Sequence, residues 1–188
     1  HDGDPWTLPA LVANGTLTAE AAALLSLAVE RDAAVVIAGP RGAGKTTLLG
    51  TLLWELDATT RTVVVEDTPE LPVGTLREAG RDVQSLQTDL AEDAVVDPTE
   101  ALRTALRLGD GALVVGEVRG EEATTLFEAM RVGASDEAVL GTIHGEGASG
   151  VRERLVSDLG VPASSFAETD LVVTLTAEER RRVETIEE

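Results

Sequence analysis

Cysteine is absent from this sequence of 188 residues, and aromatic residues make up only 2% of it. Without cysteine the chain cannot form disulfides, thiolate nucleophiles or cysteine-based zinc sites. With so few aromatics, the core must be built from leucine, valine, isoleucine and alanine, which dominate the 43% hydrophobic content. No hydrophobic run approaches the length of a membrane-spanning helix, so we expect no insertion into a membrane.

Lysine is nearly absent as well, since fourteen of the fifteen basic residues are arginine and Lys45 is the single lysine. The 34 acidic residues give a net charge of −19, which repels nucleic acid and anionic lipid and argues against both as partners. The acidic residues are spread along the whole chain, which favours adaptation to a salt-rich cytoplasm, where dense carboxylates keep a protein hydrated and soluble. An acidic patch for a basic partner is the alternative. We expect a cytoplasmic protein of an extreme halophile, without a signal peptide.

Short hydrophobic runs rich in β-branched residues alternate with helical patterns. The runs show little polar alternation, which is typical of strands buried on both faces of a sheet. Strands alternating with helices predict an α/β fold with a mainly parallel sheet flanked by helices. Five strands are predicted, over residues 33–38, 62–65, 112–115, 138–142 and 171–175. Five helices are predicted, over residues 18–31, 46–56, 98–108, 121–132 and 148–159.

The boundaries of two helices are marked by their sequence. Asp97 and Pro98 combine a capping residue with proline at the first helical position, and Gly109 is the expected stop. Gly133 is expected to end the helix that Glu121 opens. Residues 72–96 are irregular and acidic, so they predict a hairpin or a long loop.

Residues 39–46 read GPRGAGKT and match the phosphate-binding pattern G-x-x-x-x-G-K-[ST] in full. The glycines let the backbone N–H groups point at an anion, and the loop opens a helix whose dipole favours phosphate. Lys45 can reach the β- and γ-phosphates of a nucleotide, and the hydroxyl of Thr46 can bind Mg²⁺. The sequence therefore predicts a P-loop NTPase (RecA-like) that binds ATP and Mg²⁺. The predicted nucleotide-binding residues are Gly39, Pro40, Arg41, Gly42, Ala43, Gly44, Lys45, Thr46 and Thr47.

Three predicted strands end in side chains capable of acid–base chemistry. Glu66 and Asp67 follow the second strand, Glu117 follows the third and His144 follows the fourth. In open α/β sheets ligands bind beyond the carboxyl ends of the strands, which is also where the P-loop lies. We expect Glu117 to activate the attacking water near Mg²⁺, with Asp110, at the opposite end of the same strand, as a weaker candidate.

The other strand-end residues leave alternatives open. Glu66 and Asp67 could support Mg²⁺ or the attacking water. They could also belong to a surface turn, because the sequence Asp-Thr-Pro is typical of turns. His144 could sense the γ-phosphate or be a lone histidine in a surface loop.

Arginines provide the remaining candidates for phosphate binding. Arg103 and Arg107 are spaced i, i+4 on one predicted helix, and Arg119 follows Glu117 in GEVRG. All three could neutralise phosphate charge or form salt bridges with the abundant acids. Residues 180–182 are three consecutive arginines, expected at a solvated edge or as neutralisers of nearby acids.

Taken in order, these motifs resemble the secretion ATPase superfamily, which powers type II secretion, type IV pili and the archaeal swimming filament. VEDTPEL, at residues 65–71, looks like its aspartate box. Residues 101–130 look like its arginine-bearing helix and atypical Walker B motif, and TIHGEG, at residues 142–147, looks like its histidine box. The resemblance covers residues 8–186 and is greatest to the archaeal branch.

The resemblance implies roles for individual residues and for the whole protein. It implies ATP hydrolysis by a ring, usually a hexamer, docked on a membrane platform protein at the cytoplasmic face of the membrane. It also implies a second, N-terminal domain, so residues 1–14 are expected to be a linker and residues 15–188 the ATPase domain. The implied catalytic residues are Glu117, Lys45, Glu66 and His144; the implied metal-binding residues are Thr46, Glu117 and Asp67; and Arg103, Arg107 and Arg119 fall on arginine positions of the family.

Two other functions remain compatible with the motifs. A nucleotide-binding regulator would bind ATP with little turnover. A small-molecule kinase would need an acceptor pocket and an arginine-rich lid, and no such lid segment is evident.

Overall fold

The computed structural model describes residues 5–88, 96–108, 111–132 and 138–188. The helices of this part of the chain are α1 (Leu8–Ala13), α2 (Ala19–Glu30), α3 (Lys45–Glu55), α4 (Val73–Glu78), α5 (Pro98–Arg107), α6 (Glu122–Val132), α7 (Gly147–Glu153) and α8 (Ala163–Phe166). Its strands are β1 (Ala34–Ala38), β2 (Thr62–Glu66), β3 (Val83–Gln87), β4 (Ala112–Val118), β5 (Val139–Ile143), β6 (Leu171–Thr176) and β7 (Arg182–Glu187).

The strands form one sheet in the order β3-β2-β4-β5-β1-β6-β7. Every neighbouring pair is parallel except β6 and β7, which pair antiparallel at one edge. The predicted fold class, a mainly parallel sheet flanked by helices, is therefore confirmed. The carboxyl ends of β2, β4, β5 and β1 lie side by side, so the loops that follow them meet at one edge of the sheet.

Two hydrophobic layers cover the faces of this sheet. On one face α1, α2 and α3 pack against inward side chains such as Val35, Ile37 and Val64. On the other face α5, α6 and α7 pack against the alternate side chains, among them Val36 and Val63. Because successive strand residues point to opposite faces, strands covered on both sides must be hydrophobic throughout, as the sequence suggested.

Side-chain caps start the helices where the sequence placed them. The hydroxyl of Thr18 accepts the backbone N–H of Ala21 at 3.1 Å at the start of α2. The carboxylate of Asp97 accepts the N–H groups of Thr99 at 2.8 Å and Glu100 at 3.0 Å at the start of α5. The expected helix ends at 109 and 133, and Asp110, lie outside the described residues.

The structure corrects three local predictions. The segment 72–96, expected to be a hairpin or loop, contributes α4 and the parallel strand β3. The helix predicted over 148–159 ends at Glu153 and continues as a π-helical turn, Arg154–Asp158. Finally, β4 runs to Val118 and β2 runs to Glu66, so Glu117 and Glu66 lie within their strands rather than after them.

The segment expected to be a linker, residues 1–14, contains regular structure. Its residues 8–13 form α1, which is capped by the side chain of Thr7. Leu8 and Leu11 of this helix are buried and join the core layer that contains α2 and α3. This part of the segment is therefore packed against the ATPase domain expected to begin at residue 15.

Candidate functional site

The P-loop is shaped by glycines where no other residue fits. Gly39 has φ +153°, and a Cβ at this position would lie only 2.6 Å from the backbone oxygen of Leu175 in β6. Gly44 has φ +98° and forms the N-terminal boundary of α3, in the left-handed region that favours glycine. The loop therefore lies tightly against the sheet and leads directly into the N-terminus of α3, the geometry that binds phosphate.

Lys45 lies inside this loop and is only 8% exposed. Its Nζ donates to the backbone oxygens of Gly39 at 2.9 Å and Pro40 at 3.1 Å. Burial lowers the pKa of Lys45 from its ordinary value, and the negative charge of Glu117 opposes that shift. The amine is therefore held where an anion bound to the loop would meet it, with a carboxylate close enough to affect its protonation.

His144 lies between Lys45 and Glu117. Its Nδ1 is 3.4 Å from Lys45 Nζ, and its Nε2 is 2.8 Å from Glu117 Oε1. A protonated lysine can only donate, so Nδ1 accepts from it and the ring proton of a neutral imidazole is on Nε2. That nitrogen lies close to the carboxylate without forming an aligned hydrogen bond to it. The histidine thus connects the P-loop lysine with the strand-end glutamate.

A local irregularity in β4 positions Glu117. The register of β4 against β5 shifts between Val115 and Val118, and the hydroxyl of Thr142 in β5 donates to the backbone oxygen of Gly116 at 2.6 Å. A Cβ on Gly116 would lie 3.0 Å from the Cβ of Glu66 in β2, so glycine lets the two strands approach. Such irregularities turn a side chain out of the regular alternation, here the side chain of Glu117.

Arg119 holds one oxygen of Glu117 and leaves the other available. Its guanidinium donates to Glu117 Oε2 and, at 2.7 Å, to Asp67 Oδ2. The hydrogen bond to Glu117 is the largest cause that raises the pKa of Arg119. The other oxygen, Oε1, is buried and has no aligned hydrogen-bond donor in the described part of the chain, although His144 Nε2 lies within contact distance. Oε1 is therefore the oxygen of Glu117 whose capacity to accept a hydrogen bond is unused among the described residues.

Glu66 and its neighbour Asp67 have different hydrogen-bond partners. The Glu66 side chain is 5% exposed, and its Oε2 accepts the N–H groups of Glu70 at 3.0 Å and Leu71 at 3.2 Å. Burial raises the pKa of Glu66, and these two hydrogen bonds oppose the rise. Glu66 thus closes the turn after β2, whereas Asp67 is the carboxylate that joins the network through Arg119.

The structure adds Glu122, which the sequence suggested only as the start of a helix. This side chain is 7% exposed, and its Oε1 accepts the N–H groups of Arg119 at 2.6 Å and Gly120 at 2.9 Å. It therefore fixes the backbone from which Arg119 reaches Glu117 and Asp67. The signal for this role was present in the sequence, because a glutamate in the first helical turn can bind back to the N–H three residues earlier.

We expect Glu122→Ala to lower kcat about tenfold with little change in KM for ATP, because losing charged hydrogen bonds worth about 1.5–3 kcal/mol each would release Arg119. Glu122→Gln keeps an acceptor oxygen and should restore most of the rate. The exposed neighbour Glu121→Ala is the matched control. Steady-state phosphate release measures both constants. A parallel rise in KM for Glu122→Ala, or no rescue by glutamine, would contradict this positioning role.

The other residues predicted to bind the nucleotide lie on the P-loop, on α3 and on α5. Thr46 and Thr47 lie half-buried in the first turn of α3, and Arg41 is exposed on the P-loop. Arg103 and Arg107 are exposed on α5, and neither forms an ion pair with an acid among the described residues. The structure thus brings together Lys45, His144, Glu117, Arg119 and Asp67, with Glu66 beside them, and leaves the two α5 arginines outside that network.

A cleft lies beside this network, between the ends of β2 and β4 and the start of α5. Its polar lining consists of Glu66, Asp67, Thr88, Glu117, Arg119 and Glu122. Within residues 5–88, 96–108, 111–132 and 138–188, no group of three or more histidine and carboxylate side chains is arranged to hold a metal ion. In the same part of the chain, no helix is long and hydrophobic enough to cross a bilayer.

Comparison with known proteins places this chain in a family. Residues 4–180 match the family described as Type II/IV secretion system protein. An uncharacterised protein of Methanocaldococcus jannaschii is 34% identical over 154 residues, covering 77% of this chain and 52% of that protein. The type IV secretion system protein PtlH of Bordetella pertussis is 34% identical over 131 residues, covering 70% of this chain and 38% of that protein.

Solved structures agree on the fold. The crystal structure of the VirB11 ATPase from the Brucella suis type IV secretion system, in complex with sulphate, matches with a TM-score of 0.75 at 23% identity, covering 96% of this chain and 54% of that chain. The chain therefore spans about half or less of the length of these relatives. Since the family match extends over nearly the whole sequence, this chain belongs to the type II/IV secretion system protein family.

Proposed function

We propose that this chain is the ATP-hydrolysing domain of a motor that powers protein secretion or the assembly of a pilus or filament. The observation that carries the proposal is the continuous contact from the P-loop to a catalytic carboxylate, Lys45 to His144 to Glu117. A P-loop alone indicates phosphate binding. A buried carboxylate oxygen linked to the P-loop lysine by one imidazole supplies what hydrolysis needs in addition.

In this mechanism each residue of the network has a separate task. Lys45 leaves the backbone oxygens of Gly39 and Pro40 to bind the β- and γ-phosphates. Glu117 Oε1 accepts a proton from the attacking water while Oε2 remains bound to Arg119. His144, with its proton on Nε2, lies between the two groups, so a change of charge at the phosphate site alters its electrostatic interaction with Glu117. Catalysis then rests on positioning and electrostatic stabilisation rather than on a covalent intermediate.

The donor atoms suit Mg²⁺, which prefers oxygen ligands. Mg²⁺ usually takes one or two protein oxygens together with water and substrate phosphates, so the lack of a preformed cage in the described residues is compatible with it. Thr46 would bind the ion through its hydroxyl oxygen, and the carboxylates of Glu117 and Asp67 would lie near it. When bound, Mg²⁺ neutralises charge that develops on the phosphates. Asp67 also binds Arg119, which keeps its carboxylate oriented toward the site.

Turnover in this scheme requires assembly into a ring, because part of the predicted site lies on an open surface. Arg103 and Arg107 are exposed, as are Leu106 and Leu108 beside them on or next to α5. Exposed arginines without acidic partners in the described part of the chain suit contact with a nucleotide held by a neighbouring subunit. We propose a hexamer that docks on a membrane platform protein at the cytoplasmic face.

We also propose that a further N-terminal domain helps close the nucleotide site, and that residues 15–188 form the ATPase domain. The relatives, of which this chain spans about half or less, support that proposal. The acidic, lysine-poor composition supports an origin in a halophilic archaeon. Under this proposal the isolated domain is mostly monomeric and a slow ATPase.

The direct test is phosphate release by the full-length protein in molar KCl, with Mg²⁺ and with EDTA. We expect ATP turnover that requires Mg²⁺ and that rises with protein concentration as rings assemble, because each ring completes its sites between subunits. Light scattering on the same samples measures assembly. Tight ATP binding without turnover in the assembled protein would instead support a nucleotide-binding regulator, and ADP release that requires a small-molecule acceptor would support a kinase.

A further inference from the structure

The arginine cluster at residues 180–182 lies at a solvated edge of the sheet, as expected, and this edge is beside the P-loop. Arg180 and Arg181 are in the connection between β6 and β7, and Arg182 is the first residue of β7. Strand β6 itself touches the loop where Leu175 O approaches Gly39. The N–H of Val183 donates to the backbone oxygen of Thr16 at 2.8 Å, which ties the start of β7 to the segment between α1 and α2. The hairpin is thereby fixed against the nucleotide side of the sheet.

Two of these arginines lie against glycines of that side. A Cβ on Gly15 would meet Arg180 Nη1 at 3.1 Å. A Cβ on Gly44, the last P-loop residue before Lys45, would lie 3.9 Å from Arg181 Cδ, in ordinary van der Waals contact. The Cδ atom of Arg181 therefore lies beside the P-loop, and its guanidinium begins one bond beyond Cδ.

Arg181 and its neighbour Arg182 have different surroundings. Strand β7 begins at Arg182, and the next residue, Val183, packs against the core layer that contains α3. Because successive strand residues point to opposite faces, Arg182 points away from that layer. Arg181 precedes the strand, and its Cδ lies beside Gly44. The cluster thus contains one arginine beside the P-loop and one adjacent arginine that points away from the α3 layer.

The guanidiniums of Arg180 and Arg181 are not held in ion pairs within the described part of the chain. Arg180 and Arg181 are exposed, and neither forms an ion pair with an acid there, although the chain as a whole carries a net charge of −19. They lie near Lys45 and the N-terminus of α3, which both favour an anion. Glu178 and Glu179 precede these arginines in the chain but form no ion pair with them, so both guanidiniums can bind an anion beside the P-loop.

We infer that Arg181 binds a phosphate group of the nucleotide on the P-loop, with Arg180 adding positive charge beside it. This inference rests on the proposed nucleotide-binding function and extends it to a residue outside the P-loop and the strand-end network. A guanidinium offers paired donors that match phosphate oxygens, and the position of Arg181 Cδ beside Gly44 puts this group within reach of the P-loop.

The test compares Arg181→Ala with Arg182→Ala in the full-length protein. Titration calorimetry with ATP and with GTP in molar KCl should show about tenfold weaker binding of both nucleotides to Arg181→Ala, since a charged hydrogen bond is lost. Arg182→Ala removes the same charge from the adjacent position and should stay within about twofold of wild type. Weakening for ATP alone would indicate a contact to the base, and equal effects of both variants would indicate a general charge effect; either result would overturn the inference.

The wild type and Lys45→Ala separate this inference from the proposed function. If wild type fails to bind ATP, the proposed function fails. If wild type binds ATP, Lys45→Ala does not, and Arg181→Ala binds as wild type does, then only the role of Arg181 is wrong. Thermal unfolding without nucleotide should give the same midpoint for the two arginine variants, so that a loss of affinity reflects a lost contact.

Discussion

Replacing Lys45 by alanine is expected to weaken ATP binding about a hundredfold and to reduce turnover at saturating ATP about a thousandfold. The amine is buried in the P-loop, 2.9 Å from the oxygen of Gly39, where it can pair with two phosphate groups. A hundredfold loss corresponds to about 2.7 kcal/mol, within the range of a hydrogen bond between charged groups. Calorimetry and phosphate release measure the two effects.

The chain offers a second and independent measurement at this residue. Lys45 is the single lysine of this sequence, so a mass shift on the peptide that contains it identifies modification of this side chain by an amine-reactive reagent. Burial lowers the pKa of Lys45, which increases its neutral, reactive fraction at a given pH. We expect saturating ATP to protect Lys45 from modification, as measured by mass spectrometry.

Arg131→Ala is the control for the lysine variant, because Arg131 is an exposed cation on α6 whose partner is Glu128 within the same helix. It should bind and hydrolyse ATP as wild type does. Normal affinity for ATP in Lys45→Ala, or labelling of Lys45 that ATP leaves unchanged, would show that the P-loop is not where the nucleotide's phosphates bind.

Replacing Glu117 by glutamine should leave ATP binding within about threefold of wild type and lower turnover about a hundredfold to ten-thousandfold. That range is the usual contribution of a general acid–base group. Glutamine keeps the size of the side chain and can still accept from Arg119, but its amide cannot take a proton from water. Single-turnover phosphate release isolates the chemical step from product release.

Glu121→Gln is the matched control, because it makes the same change in charge at an exposed position nearby. It should retain the wild-type rate. The Glu117→Gln variant also separates the candidate functions: a motor that carries this substitution binds ATP and stalls, whereas a regulator that works by binding alone keeps its function. Full turnover by Glu117→Gln would falsify the role proposed for this carboxylate.

Much of the fold could be predicted because its determinants are local. Strands covered on both faces must be hydrophobic throughout, so β1, β2, β4, β5 and β6 were recognisable as short runs. Caps such as Thr18 and Asp97 act on N–H groups two or three residues away, so they too were readable. In contrast, β3 has mostly exposed side chains and only Val83 buried, so it lacks the hydrophobic run that identified the others.

For the candidate site, too, the features with local determinants could be predicted and those that depend on distant contacts could not. The P-loop is contiguous and its glycines are required by its own backbone, so it was predictable in full. The strand-end rule also brought Glu117, His144 and Asp67 to one edge correctly. It could not distinguish Glu66 from Asp67, because their roles depend on which side chain turns into the bend after β2 and which turns toward Arg119.

Sequence by itself determined the alternation of strands and helices, the phosphate loop and the edge of the sheet at which chemistry was expected. Only the tertiary structure decided which charged groups meet. It placed His144 between Lys45 and Glu117, and it made the Glu122 carboxylate the acceptor of the backbone N–H of Arg119. It also left Arg103 and Arg107 exposed and brought Arg181 close to the P-loop. These contacts join residues far apart in the chain, and they depend on the strand order, the irregularity in β4 and the path of the β6–β7 hairpin.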